Sequence, residues 1–468
     1  MVSQGRCRYP TRYRHAGWAE QDPGRWWEAC RRALASMASR VDRQRYAFAG
    51  LALTGQCPTY LPVDRHTQPL GCALTYQDNR AGEESAWLQD FFGNDFIHGF
   101  SGHSAQPFYI LPKVLWHKHH DPQLYDMISK ALQPSDYVTF LLTGELATNA
   151  AHAAGTLAFD LAHNRWNDEF IAAVGLKDNL FPGQILQSWD VVGALRPDVA
   201  DECGLPRALP VVAGGPDSQC CCLGVGAIEP GILSNMSGTS TCLNSTVTAP
   251  VSDLRVGNYA HVLPSRWTTE VGLNTTGASL SWAAKRLFPD VSEKIRYQLV
   301  EKRLHASRPG ARGLLFLPYL TGGERDNQRV KGGLYNVSME HDDSDILRAV
   351  LEGVVFAERE RIELLTEAGC HFESMRISGG GATFDLWNHI RAASTGLPVL
   401  AAQHVDAAEL GAAILAGIGT GVYSDAADAV RRCHPQFTEF EPKKQLVARY
   451  EDLFQSFLKL ERSLETEC

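Results

Sequence analysis

The chain has 468 residues, a formal net charge of −9, 21% charged residues and 44% hydrophobic residues. That balance is ordinary for a soluble globular protein, and it excludes the basic footprint of a nucleic-acid binder or an anionic-membrane binder. The length predicts two domains, and no run of about 18 apolar residues predicts a membrane span.

The N-terminal stretch MVSQGRCRYPTRYRHAGW has no apolar segment of the secretory kind, so a cytoplasmic protein is expected. Its twelve cysteines are then expected as free thiols. They are scattered, and no CxxC pair occurs. RWWEACRRALASMASRV (25–41) reads as a helix. HKHH (117–120) could pass for a metal cluster, but on a helix it reads as a solvated face.

ALPVVAGG reads as an apolar strand ending in a glycine turn, and SQCCCLGVGA as a helix or turn of small residues. Asp217 stands between them. Cys220, Cys221 and Cys222 point three ways on any regular backbone, so they pack rather than build a thiolate site. Taken alone, Asp217 suits a surface turn as well as the active site of an α/β fold.

GILSNMSGTSTCLNST (231–246) reads as strand, tight turn and strand, with Ser237, Gly238, Thr239 and Ser240 at the tip. Neighbouring amides and hydroxyls in such a turn can hold phosphate oxygens. SDILRAVLEGVVFAERERIELLTEAG (344–369) has helical spacing, with Ser344 expected as its cap and Gly369 as its stop. MRISGGGATFDLWNHIRAASTG (375–396) reads as a strand, the glycines 379–381, and a helix from about Phe384. ELGAAILAGIGTGVY (409–423) reads as a helix thin enough for close packing. The domain junction is expected near 226, giving domains 1–226 and 227–468.

These motifs together resemble the FGGY carbohydrate kinases, the family of xylulokinase, gluconokinase and glycerol kinase. The resemblance runs from about Pro10 to Leu458. HAGWAEQDPGRWWEAC is similar to the family's early segment, and FYILPKVLWHKHHDP resembles its first signature with Lys113 and Trp116 in register. GLLFLPYLTGGER (313–325) and GGLYNVSMEHDDSDILRAVLE resemble the second signature region, with Asn336 in place of an expected glycine.

The resemblance implies an α/β, two-domain actin/hexokinase-like ATPase fold, built on a ribonuclease H-like motif, with the active site in an interdomain cleft. It implies a kinase that uses ATP and Mg²⁺. Asp217 matches the general base that takes a proton from the sugar hydroxyl, with Mg²⁺ in reach through water. Ser237, Gly238, Thr239 and Ser240 match the second phosphate loop. Gly277 matches a glycine near the phosphates, Gly380 and Gly381 the loop beneath the adenosine and α-phosphate, and Asp385 the adenine position. Relatives of this kind are often homodimers.

Family members begin with a strand carrying an aspartate-x-glycine-threonine turn, and no such turn precedes the second strand here. A first domain truncated in this way is expected to expose an unpaired sheet edge and to phosphorylate poorly. The alternative is a sugar-binding or regulatory remnant.

LTGQCPTYLPVD (53–64) falls at the sugar-contacting turn, where Cys57 and Pro58 replace the Met-His of xylulokinases and the Arg-Glu of glycerol kinases. Gln56 retains a hydrogen-bonding amide. Asp78 and Arg80 suit either the pocket wall or a buried ion pair. His152 is assigned no role. The expected substrate is a pentulose-like sugar, xylulose-like first, with polyols or gluconate-like acids next.

Overall fold

Short apolar runs separated by small-residue turns place strands and helices in alternation, and the result is a mixed α/β protein. The computed structural model describes residues 1–322 and 330–465. It divides into two compact units. The first comprises Met1–Gly224, Thr248–Thr268 and Ala408–His434, and the second Val225–Val247, Thr269–Ala407 and Pro435–Cys468. The single junction expected near 226 differs from this division, because two later segments return to the first unit. One return rests on small residues. In the helix Ala407–Gly419, Gly411 lies so near the helix Asp217–Gly224 that a Cβ would stand 1.9 Å from the Cys220 carbonyl oxygen.

In the first unit the strand Pro210–Pro216 pairs antiparallel with Val191–Ala194 and parallel with Leu51–Gly55. Its register shifts between Val212 and Gly215. There Gly214 takes φ +72°, and a Cβ would meet the Leu53 carbonyl oxygen at 1.8 Å. The two glycines are therefore a bulge inside the strand and not the expected terminal turn. The strand runs on to Pro216, and Asp217 opens the helix directly. Leu51–Gly55 lies at the edge of this sheet and is half-buried along its whole length.

The first helix spans Pro23–Ala38, starting two residues earlier than expected because Asp22 accepts from the Gly24 amide and Pro23 tolerates the first turn. It buries Trp26 and Ala38 in a cluster with Leu61, Leu132, Val138, Val199 and Val211. A second cluster gathers Tyr60, Leu88, Ile97, Ile110 and Leu115.

In the second unit, Gly231–Ser237 pairs antiparallel with Thr241–Val247 and parallel with Phe372–Ser378, which pairs parallel with Val399–Ala402. The long helix Asp343–Glu367 is capped by Asp342, whose side chain accepts from the Ser344 and Asp345 amides, while the Asp345 side chain accepts from the Asp342 amide. Asp342, not Ser344, is thus the cap, because the reciprocal carboxylate three residues on completes a capping box. Gly369 follows the helix at φ +98°. Leu347, Val350, Leu351, Val354 and Phe356 of this helix meet Tyr450, Phe454 and Phe457 of the helix Lys444–Glu465. Each fully buried side chain of this size contributes about 1.5–3 kcal/mol. Asn336 takes φ +62°, which an asparagine tolerates where a glycine was expected. Gly323, Glu324 and Arg325 of the second signature region lie outside the described residues. Among the described residues, no helix is long and apolar enough to cross a membrane.

Candidate active site

Asp217 is the first residue of its helix and is half-buried, and its Oδ1 accepts from the Ser218 amide at 2.9 Å. The helix behind it is fixed by packing. Ser218 to Gly224 are all buried, with all three cysteines inside, and burial pushes the Cys220 thiol up to about 12. A thiol in that state is neutral filler, as the sequence indicates. Gln219 Nε2 donates to Thr268 Oγ1 at 3.2 Å, tying the helix to one of the returning segments. Sequence reasoning missed Tyr9. Its phenol pKa is raised, first by burial and then by the negative charge of Asp217, so the N-terminal segment lies near the carboxylate. An isolated tyrosine in a segment without periodicity gives no signal of this.

Gln56 donates to Gln21 Oε1 at 2.7 Å, and Gln21 Oε1 also accepts from Trp26 Nε1 at 2.9 Å. Cys57 is half-buried and packs against the cluster of Ala153, Ala154, Phe159 and Tyr259.

Asp78 and Arg80 are brought together in a closed network. Arg80 donates from Nε to Asp78 Oδ1 at 2.9 Å, and from Nη2 to Asp78 Oδ2 at 2.8 Å and Glu20 Oε1 at 2.7 Å. The Ala19 amide donates to Asp78 Oδ2 at 2.7 Å. The guanidinium also lies against the rings of Trp18 and Trp116. With both Asp78 oxygens engaged and the Asp78 side chain wholly buried, this arrangement has the form of a structural ion pair.

Lys113 donates to the carbonyls of Thr75 at 2.7 Å and Phe108 at 2.6 Å, and burial pushes its pKa down to about 7. Lys113 and Trp116 thus hold the wall that carries Asp78 and Arg80. The histidines of HKHH do not form one solvated face. His117 is buried against the Tyr60 hydroxyl and its pKa falls to about 4 through burial, while His119 and His120 are exposed beside Glu84. Helical periodicity turns the first inward and the other two outward. His152 is fully buried and its pKa falls to about 3 through burial, so it is neutral.

The predicted nucleotide residues of the second unit converge. The Ser237–Thr241 pair closes the hairpin, with Gly238 and Thr239 exposed at its tip. The Gly277 amide donates to the Gly238 carbonyl at 3.1 Å, and the Thr276 and Ala278 amides to the Thr239 carbonyl at 3.1 and 3.0 Å. A Cβ on Gly277 would stand 2.4 Å from the Gly238 oxygen. On the other side, a Cβ on Gly381 would stand 2.1 Å from Ser237 Oγ. Gly379 takes φ +78°, as the strand Phe372–Ser378 turns into the short 3₁₀ segment Gly380–Thr383. Gly380 and Asp385 are exposed, and Asp385 begins the helix Asp385–Thr395 one residue later than expected, because Phe384 is still extended. Three backbone turns lacking side-chain bulk thus share one patch, with a helix N-terminus beside it. Such a patch can receive phosphate oxygens.

Residues 1–224 match the model of the FGGY family of carbohydrate kinases, N-terminal domain, and residues 233–420 match its C-terminal domain. The chain belongs to the FGGY family of carbohydrate kinases. The enzyme class is accordingly a phosphotransferase with an alcohol group of a sugar as acceptor. The chain is 30% identical over 451 residues to xylulose kinase of Bacillus subtilis (strain 168), covering 96% of this chain and 89% of that relative. The crystal structure of xylulose kinase from Rhodospirillum rubrum superposes with a TM-score of 0.87 at 26% identity, covering 98% of this chain and 93% of that one. Gluconate kinase from Lactobacillus acidophilus, 22% identical, shares the fold with a TM-score of 0.87 over 98% of this chain and 92% of its own. The fold is the actin/hexokinase-like ATPase fold inferred from the motifs.

Proposed function

We propose that this chain transfers the γ-phosphoryl group of ATP to a hydroxyl of a pentulose-like sugar, xylulose-like first, with a polyol or gluconate-like acid as further acceptors. Asp217 is the general base that takes the hydroxyl proton as the oxygen attacks phosphorus. The turns at 237–240, 277 and 379–381 hold the phosphates, and Asp385 stands at the adenine end. The observation that carries this reading is the convergence of those turns, in which the Gly277 amide bonds the Gly238 carbonyl and Gly381 packs on Ser237. The xylulose kinase relatives support the choice of sugar.

Among the described residues, no group of three or more His, Cys, Asp or Glu side chains could hold a metal ion. Mg²⁺ would be carried by the nucleotide phosphates, and the half-buried Asp217 carboxylate would offer it a hard oxygen donor. When bound, it neutralises phosphate charge during transfer. The eleven described cysteines are all free thiols, which supports a reducing, cytoplasmic setting.

An ADP-release assay with D-xylulose, D-ribulose, glycerol and gluconate tests the reading. ADP production that depends on one of these acceptors is expected. Acceptor binding by calorimetry without any ADP would favour a binding protein instead.

A further inference from the structure

We infer that Arg391, clamped by Glu358, is a positioning residue that fixes the distance between the two phosphate turns at 237–240 and 379–381 and so sets nucleotide affinity. This rests on the kinase reading above.

Arg391 lies on the helix Asp385–Thr395 and is wholly buried, as is Glu358 on the helix Asp343–Glu367. The pair is bidentate, with Nε to Oε2 at 2.8 Å and Nη2 to Oε1 at 3.1 Å. The remaining donors reach outward to both turns. Nη2 donates to Ser237 Oγ at 3.2 Å, and Nη1 to the Gly381 carbonyl at 3.5 Å and Asn388 Oδ1 at 3.2 Å. Asn388 in turn donates to the Ala382 carbonyl at 2.8 Å. The guanidinium also stacks over Trp387, 4.4 Å from the ring centroid.

One planar fork thus touches the base of the hairpin, the glycine loop and the long core helix. Only a guanidinium offers five donors in fixed directions, so lysine cannot reproduce it. A buried ion pair brings little net stability over an apolar pair of similar volume, so stability alone does not account for the arrangement. Holding two loops in register does.

The test uses wild type, Arg391→Lys, and the double variant Arg391→Met/Glu358→Met, which removes both charges together. Thermal unfolding, ADP affinity by calorimetry, and KM for ATP and for the sugar are measured. In the double variant, wild-type Tm with ADP affinity about tenfold weaker, KM for ATP raised to match and KM for the sugar unchanged is the expected result. Wild-type ADP affinity and KM for ATP in the folded double variant overturn the inference and leave the kinase reading intact. Should the double variant not fold, Arg391→Lys decides, since it keeps the charge and loses the fork. A raised KM for ATP alone supports the role, and unchanged constants remove it. A wild-type chain that binds no ADP would end both readings.

Discussion

Arg80 Nη2 stands 2.8 Å from Asp78 Oδ2, and the same guanidinium carbon lies 3.6 Å from the centroid of the Trp18 ring. The charge is thereby satisfied on its edge and on its face at once. Removing Asp78 leaves the buried Arg80 with Glu20 as its remaining carboxylate and with two of its donors unanswered on the Asp78 side. Asp78→Ala is expected to lower unfolding free energy by about 3 kcal/mol, measured by urea denaturation. A KM for the sugar that rises sharply with stability unchanged would instead return Asp78 to the substrate.

The Asp217 side chain stands at the half-buried start of a helix whose interior is carried by the residues behind it. Asp217→Asn should keep the fold, with Tm near wild type. Loss of the proton acceptor is expected to cut kcat by about 10²–10⁴-fold, read as ADP release at saturating sugar and ATP.

Gly277 admits no side chain, since a Cβ would sit 2.4 Å from a backbone oxygen that cannot rotate away. Gly277→Ala must push the 277 turn off the hairpin at Gly238. A displacement approaching 1 Å at a phosphate-holding turn costs on the order of 10²-fold in kcat/KM for ATP. Steady-state kinetics with varied ATP measure it, and an unchanged value would show that the turn does not face the nucleotide.

Asp136, the third residue of the helix Pro134–Thr143, closes the capping box of the cap residue Gln133 by accepting from its amide at 3.0 Å, and is fully buried. Burial raises its pKa from 3.8 to about 7. The folded state therefore holds this proton more tightly than the unfolded chain. The stability it supplies is full below the unfolded pKa and is lost as pH rises through about 7. Asp136→Asn keeps an acceptor and carries no charge, so its urea midpoint should decline less than that of wild type between about pH 5 and about pH 8. Parallel declines would show that Asp136 does not titrate in this range.

The residues that make local patterns were legible in the sequence. The hairpin around Ser237, the glycines 379–381 and the helix after Asp217 stand where apolar period and glycine placement put them, because short-range backbone demands leave marks in neighbouring residues. The identity of the family came from motifs in order, not from any one of them. What stayed hidden depends on partners distant in sequence. Arg391 looks like any charged residue on a helix until Ser237, 154 positions away, arrives beside it. Gly214 reads as a turn because a bulge is defined by the facing strand at Leu53. Tyr9 offers no pattern at all, and HKHH changes meaning once Tyr60 covers one side of it. Asp78 and Arg80 suit two roles in the sequence alone, because the tryptophans at 18 and 116 that flank the guanidinium lie far from them along the chain.

The return of residues 248–268 and 408–434 to the first unit means that the backbone passes from one unit to the other at 224/225, 247/248, 268/269, 407/408 and 434/435. Neither half can be cut out as an uninterrupted gene fragment. A clone ending at residue 224 would lack the helix whose Gly411 seats against Cys220, leaving bare the rear of the very helix that presents Asp217. Dissection of this enzyme class by simple truncation would thus damage the proposed base it was meant to isolate, whereas a circular permutant with new ends in an exposed loop would keep every crossing.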